Sequence, residues 1–565
     1  MDQKYFLYCW ITLLVLFASV SAMAAPLPAI DKILQESTRP NPLPAPPPAV
    51  VPEIKAPEQS KPAQRSGHDE VRINVTQFAF QGNESIATEI LRAAVAESEN
   101  KALNFGELTK VVEQVEALYK SRGFFLAQAY LPPQKIRDGV IEISISEGKL
   151  GQTRLEGESR IKPDIVYAHL DQLPRGRAVK LADIERQVLL INDLAGSSAT
   201  LDMQAGETDG TTDAVIAQKI EPLLSGRVEI NNHGMPATGQ EHLGVFLNAS
   251  SPLGLGDKFS GNLMETNSGD LASYGLNYDL PVGAKGWRVT AAASLSQYAI
   301  GAGSAAALNA AGEVNSYRAG LLYPFLRSRN ANLNLKLETA LNLMHSSNNV
   351  TGADQNISRV LIATISGDWL DEWIGGGSNR AELAVTGGKL KLGSTALASD
   401  VTNTEGGYGK ALLTLSREQN IRPNLTLQLQ LTHQIASKNL DGSEKFSVGG
   451  PGLMPGYASG EASGDDGTLL KLKLNWRVRP DTALGLFTDF GQVYAAHHPI
   501  GSSDCNPDLN ISSNLCHFTD AGFSLDWQGP HGITAAFLMA WALGEAPNPA
   551  DNDRPRFWAH VGYNW

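Results

Sequence analysis

At 565 residues the chain is too long for one average domain, and 19% charged with 42% hydrophobic residues excludes wholesale disorder. A formal net charge of −13 argues against a nucleic-acid binder and says little else.

The N-terminus carries Lys4, an apolar run from Phe6 to Val20, and then Ala22-Met23-Ala24, a small-residue site ahead of Ala25. Residues 1–24 read as a signal peptide, although Asp2 weakens the positive region. The alternative, a membrane anchor, needs about 20 apolar residues, and the run offers about 15. No later stretch approaches a transmembrane helix, so a place in a membrane requires a barrel. Residues 25–38 hold Ile30, Ile33 and Leu34 at helical spacing, a candidate amphipathic helix. Pro40, Pro42, Pro44, Pro46, Pro47, Pro48 and Pro52 mark 39–70 as an extended linker.

Two units of similar order follow. The first, 71–150, reads as a strand over Val71 to Phe80, a helix over Ser85 to Glu97, and a longer helix from Phe105 to about Arg122. In the longer helix Leu108, Val111, Val112, Val115, Leu118 and Tyr119 share one face, and Gly123 stops it. Strands over Phe125 to Leu131 and Val140 to Ser146 close the unit. The second, 151–222, repeats the plan: a strand at Gln152 to Glu156, helices at Lys162 to Leu170 and Leu181 to Leu194, and strands at Ala199 to Ala205 and Asp213 to Ile220. Units of this kind fold as small α+β domains.

Over 223–565 helical spacing largely vanishes. Leu425-Thr426-Leu427-Gln428-Leu429-Gln430-Leu431-Thr432 alternates with period 2, as do Leu333 to Glu338 and Leu470 to Arg479. Each segment presents one apolar and one polar face, which fits a wall between lipid and a wet lumen. A soluble sandwich also alternates, but about 340 residues without evident helices is long for one. Short turns at Pro252 to Gly256, Arg422 to Asn424, Arg479 to Thr482 and Gln528 to His531 alternate with long loops at Asn439 to Gly467 and Ala495 to Cys516. The spacing predicts a transmembrane β-barrel of about 16 antiparallel strands. Phe557, Ala559, Val561, Tyr563 and Trp565 form the apolar face of the last strand. With both barrel ends periplasmic, the short turns face the periplasm, the long loops fall outside the cell, and a channel can remain inside.

Cys9 lies in the signal, leaving Cys505 and Cys516 as one disulfide or two free thiols. His497, His498 and His517 lack metal-site spacing, so no metal is expected. Neither a G-x-S-x-G elbow nor a P-loop occurs, and Gly375-Gly376-Gly377 lacks a following Lys-Ser/Thr pair. The expectation is a non-enzyme without cofactor.

Tyr119-Lys120-Ser121-Arg122-Gly123-Phe124-Phe125-Leu126-Ala127-Gln128-Ala129-Tyr130-Leu131-Pro132-Pro133-Gln134, followed by Gly139 to Ile143 and Glu147-Gly148, resembles the POTRA region of the hemolysin activation/secretion family of two-partner secretion (type V) transporters. Asn231 to Gly234, Thr238-Gly239 and Ser251 to Asp257 resemble the first hairpin of that family's porin-like barrel. The resemblance implies two POTRA domains that capture a secreted exoprotein in the periplasm. It implies recognition through Tyr119, Gly123, Phe124, Tyr130, Pro132 and Gln134, a helix able to plug the lumen, and export through the barrel. The partners are then the exoprotein, outer-membrane lipid and, during biogenesis, the barrel-assembly machinery. A factor that assembles other outer-membrane proteins, from the same superfamily, is the alternative.

The family's long loop between the eleventh and twelfth strands reads here Phe446 to Tyr457, with Gly449, Gly450, Pro455, Gly456 and Tyr457 at its motif. The resemblance places an Arg-Gly-aromatic tip there, its Arg inside the barrel and facing an Asp on the next strands that matches Asp489. Pro455 stands at the Arg position. Asp489 then takes Lys471, Lys473 or Arg477 as its cation, or is a solvated lumen residue. Pro455 either stiffens a loop held by other contacts or leaves it looser.

Overall fold

The computed structural model describes residues 54–55, 71–208, 210–302, 304–350, 352–499, 513–543 and 555–565. The expected signal peptide, the N-terminal helix, most of the proline-rich linker and Cys505 lie outside them.

In the first unit, helix α1 (Thr88–Val95) and helix α2 (Phe105–Ser121) cover a small sheet. Asn104 caps α2, accepting from the Glu107 N–H while Glu107 accepts from the Asn104 N–H, both at 2.8 Å. Such a box satisfies two orphan donors and is worth about 1 kcal/mol. Leu108, Val111, Val112, Val115 and Tyr119 form the buried face of α2. Val140–Ser146 runs parallel to Gln77–Gln81 and antiparallel to Gln128–Tyr130.

Three expected elements are shorter than their periodicity suggested, each for a local reason. The strand over Val71 to Phe80 is divided at Thr76, whose N–H and hydroxyl donate to the Gly139 and Asp138 carbonyls. Its first piece, Ile73–Val75, pairs with Lys101–Leu103. The first helix starts at Thr88 because Ser85 gives its N–H and hydroxyl to Glu147, at 2.7 and 2.5 Å. The strand over Phe125 to Leu131 contracts because Phe125 and Leu126 turn into the core of the second unit.

In that second unit, Thr211–Ile220 lies parallel to Lys149–Gly157 and antiparallel to Ser197–Ala205. Helix α3 (Pro163–Leu170) and helix α4 (Leu181–Asn192) pack on the sheet through Val166, Leu170, Ile184, Val188 and Ile191. Ile54–Lys55, from the linker, adds a parallel pair to the outer edge at Leu201 and Asp202.

From Leu224 onward the described strands close into an antiparallel barrel of sixteen, the expected architecture. Closure joins Leu224–Asn231 to the last strand, Arg556–Asn564, from Arg227↔Asn564 to Asn231↔His560. Period 2 sets the faces. Along the thirteenth strand, Thr482–Tyr494, Phe487, Asp489, Gly491 and Val493 are buried inward while Leu484, Leu486, Phe490 and Tyr494 are exposed outward. Register then turns Lys471, Lys473 and Arg477 of the twelfth strand, Asp466–Arg479, into the lumen. The four short turns lie at the end that meets the second α+β unit, where the Lys162 N–H donates to the Gly254 carbonyl at 3.0 Å. The topology-based expectation that the loop from Asn439 to Gly467 lies outside needs correction: it leaves the outer end, but its tip folds back into the barrel, the position that the resemblance implied. Buried Met454, Tyr457 and Val448 pack on Leu469, Val493 and Phe518 of the barrel wall, because burying this apolar tip is favourable and its glycines allow close approach.

Candidate functional site: the loop held inside the barrel and the POTRA hairpin

A short hairpin, Phe446–Val448 with Ala462–Gly464, carries the tip inward from the eleventh strand, Leu425–Ala436. Gly449 and Gly450 adopt φ of +96° and +90°, the left-handed region that lets the chain bend there. The Gly450 N–H then donates to the Tyr457 carbonyl at 3.0 Å, closing the tip into a compact ring.

Hydrogen bonds and one ring contact seat this ring on the wall. The Gly456 N–H donates to Asp520 Oδ2 at 2.7 Å. Trp558 Nε1 donates to the Pro455 carbonyl, also at 2.7 Å. The Tyr457 hydroxyl donates to the Thr519 carbonyl at 3.0 Å, and its ring meets Phe518 edge to face at 5.2 Å. Ser459 Oγ donates to the His233 carbonyl at 2.7 Å, and Lys471 Nζ to the Gly452 carbonyl at 2.9 Å. The tip is thus gripped from the twelfth, fourteenth (Leu515–Gln528) and sixteenth strands and from the turn after the first. Gly456 is required by space: a Cβ there would lie 2.6 Å from Asp520 Cβ and 2.9 Å from the Ala542 nitrogen.

Lys471, Asp489 and Asp520 form a row across three adjacent strands. Asp489 is 1% exposed, and no donor of ordinary geometry meets its oxygens among the described residues. Of the cations expected near it, Lys471 is the direct cross-strand neighbour. Lys473 instead reaches Asp526 at 3.2 Å. Arg477 is in register with Ala483, six residues and roughly 20 Å down the strand from Asp489. Asp520 and Trp558 were not singled out by sequence reasoning. The signal for Trp558 was present, since the outward face of the last strand leaves it as a bulky aromatic pointing inward.

At the POTRA hairpin the resemblance-derived residues separate into two kinds. Tyr119 is fully buried, its hydroxyl donating to Glu147 at 2.8 Å, and burial beside that carboxylate pushes its pKa far up. Gln134 is spent on the backbone of Glu142, through bonds of 2.7 and 2.8 Å. Gly123 gives its carbonyl to the Leu181 N–H at 2.9 Å, and Phe124 lies under the Lys180 ammonium at 5.5 Å. Tyr130, 50% exposed, sits on the edge strand Gln128–Tyr130, with Pro132 half-buried just after it. Cys516 lies on the fourteenth strand, while Cys505 lies outside the described residues.

The family model described as haemolysin secretion/activation protein ShlB/FhaC/HecB matches residues 210–503, and a ShlB-type POTRA domain model matches 73–148. The heme/hemopexin transporter protein HuxB of Haemophilus influenzae strain 86-028NP is 24% identical over 86% of both chains. The outer membrane transporter CdiB of Escherichia coli O6:K15:H31 is 24% identical over 85% of this chain and 84% of its own. Among solved structures, CdiB from Escherichia coli superposes with a TM-score of 0.67 at 19% identity, covering 90% of this chain and 94% of that one. BamA from Haemophilus ducreyi lacking POTRA domains 1–3 gives 0.50 at 14% identity, covering 87% of this chain and all of that chain (100%).

Proposed function

The chain belongs to the haemolysin secretion/activation protein family ShlB/FhaC/HecB, and from that premise we propose that it carries a secreted exoprotein from the periplasm through the barrel lumen to the cell surface. It is an outer-membrane transporter of the two-partner type, with its POTRA domains in the periplasm. The observation that carries the route is the loop tip itself, folded into the lumen and held by side chains of the inner wall. A barrel of about 16 strands has room for an aqueous path, and a loop seated on one side of it forms a gate.

Tyr130 and Pro132, at the free edge of the first POTRA sheet, are the residues through which an extended exoprotein segment is read, by strand addition. Residues 1–24 direct export and 25–38 plug the lumen at rest. Cys505 and Cys516 close a surface loop as a disulfide. The outward leucines and aromatics meet lipid, and the assembly machinery inserts the barrel. The protein works by conduction, without catalysis or cofactor.

Deleting the gene and comparing culture supernatants and outer membranes tests this reading. Loss of one large secreted protein is expected. A broad fall in outer-membrane proteins would instead identify an assembly factor.

A further inference from the structure

Helix α4 touches both of the bodies that transport must coordinate. At its first turn the Leu181 N–H donates to the Gly123 carbonyl at 2.9 Å, and the Lys180 ammonium just before it lies over the Phe124 ring. The Gly-Phe pair of the POTRA motif is therefore the joint between the first domain and this helix. Twelve residues make a rod of roughly 18 Å.

The other end of the rod rests on the barrel. Asp193, the residue that follows α4, takes Arg327 in a two-pronged pair at 2.7 and 2.9 Å, and its carbonyl accepts from Arg288 at 3.0 Å. Glu185 holds Arg329 through its side chain at 3.0 Å and its N–H at 3.2 Å. Arg186 donates to the Pro324 carbonyl at 2.9 Å. Leu190 fills the space over Gly286, where a Cβ would approach to 2.7 Å, and Leu194 does the same over Gly256 at 2.8 Å. In the two charge pairs the carboxylates come from the helix and its end and the guanidiniums from the barrel, and the contacts involve the turns after the second, fourth and sixth strands.

We propose that α4 is a strut that fixes the first POTRA domain over the periplasmic mouth of the barrel, with Glu185, Arg186 and Asp193 as positioning residues for transport. A two-pronged Arg–carboxylate pair such as Arg327 with Asp193 gives orientation as well as attraction. Two charge pairs and two apolar seats spread along one helix resist rocking in a way that a single contact cannot. The polypeptide held at the first domain is thereby presented to one side of the pore. This inference rests on the transporter reading for its purpose, although the clamp itself is independent of any cargo.

The test uses the full-length chain in lipid nanodiscs, spin-labelled at Lys110→Cys on the first POTRA domain and Asp481→Cys on a periplasmic turn. Pulsed electron resonance is expected to give one narrow distance for the parent. Asp193→Arg combined with Glu185→Arg is expected to lose that single distance, with the barrel still folded by its heat-modifiable gel shift. Adding Arg327→Asp and Arg329→Glu, which restores the charge pairs in reverse, is expected to recover it. A narrow, unshifted distance in the reversed variant would overturn the strut, as would failure of the four-site swap to recover it. Neither readout requires an exoprotein, so failure here is distinct from failure of the transport assignment. In cells, the same reversal and swap are expected to abolish and then restore release of the secreted protein.

Discussion

Gly456 gives its backbone N–H to the carboxylate of Asp520, 64 residues later in the chain and 2.7 Å away in space. A backbone group thus holds the tip to the inner wall. Hydrogen bonds to a carboxylate contribute about 1.5–3 kcal/mol. Asp520→Ala is expected to unseat the tip, read as higher and noisier conductance in planar bilayers and as faster proteolysis of the loop. Asp520→Asn, which keeps an acceptor, is expected to do less.

Trp558 tests the second grip. Trp558→Phe keeps an aromatic side chain, though a smaller one, and removes the donor to the Pro455 carbonyl, a loss of about 1 kcal/mol from the hydrogen bond. A small rise in loop mobility, measured by hydrogen exchange over residues 449–460, is the expected result. Gly456→Ala is expected to be more severe, since its methyl group would meet Asp520 and the Ala542 backbone.

Pro455→Arg tests whether a guanidinium at the tip pairs with the buried carboxylate of Asp489, whose oxygens meet no ordinary donor among the described residues. Export is expected to stay intact or improve, and loop proteolysis to slow. Lost export in a folded variant would count against aligning Pro455 with the family's Arg.

His169 supplies a pH dependence for the second POTRA domain. It is 2% exposed with Nδ1 3.3 Å from Gln187, and burial holds its imidazole below the ordinary value of about 6.5. The unfolded state then binds the proton more readily than the folded one. The stabilising term is therefore complete above about 6.5 and is lost as pH falls below it. Amide protection in α3 and α4 should drop between pH 7.5 and 5, after correction for intrinsic exchange. His169→Leu should remove that drop.

Tyr130→Ala is expected to weaken capture of the exoprotein while leaving the domain folded, because the side chain is half exposed on an edge. Tyr119→Phe is expected to act on folding instead, since its hydroxyl is committed to Glu147. Binding and thermal unfolding measured on both variants separate the two roles.

The elements most legible in the sequence were those whose cause is local. Alternation from Leu425 to Thr432 is a property of one strand, and the face of α2 is a property of one helix. The resemblance pointed to the loop and to Asp489 through short stretches, which is as far as a local match reaches. What holds the tip was not legible, because its contacts join residues far apart: Pro455 and Trp558 are separated by 103 positions. Which residues share a lumen height depends on strand register, and register is set by turns and pairing around the whole barrel. Arg477 illustrates this, on the right face but far from Asp489. The joint at Gly123 and Phe124 was hidden similarly, since its other half lies in the next domain.

Lys473 and Leu474 are neighbours on the twelfth strand, facing lumen and lipid respectively. A photo-crosslinking amino acid placed at each in turn, with the cells actively secreting, tests passage through the lumen most directly. Adducts with the secreted protein at 473 but not at 474 are predicted. Adducts with it at 474 alone, or at neither position while secretion continues, would contradict the account.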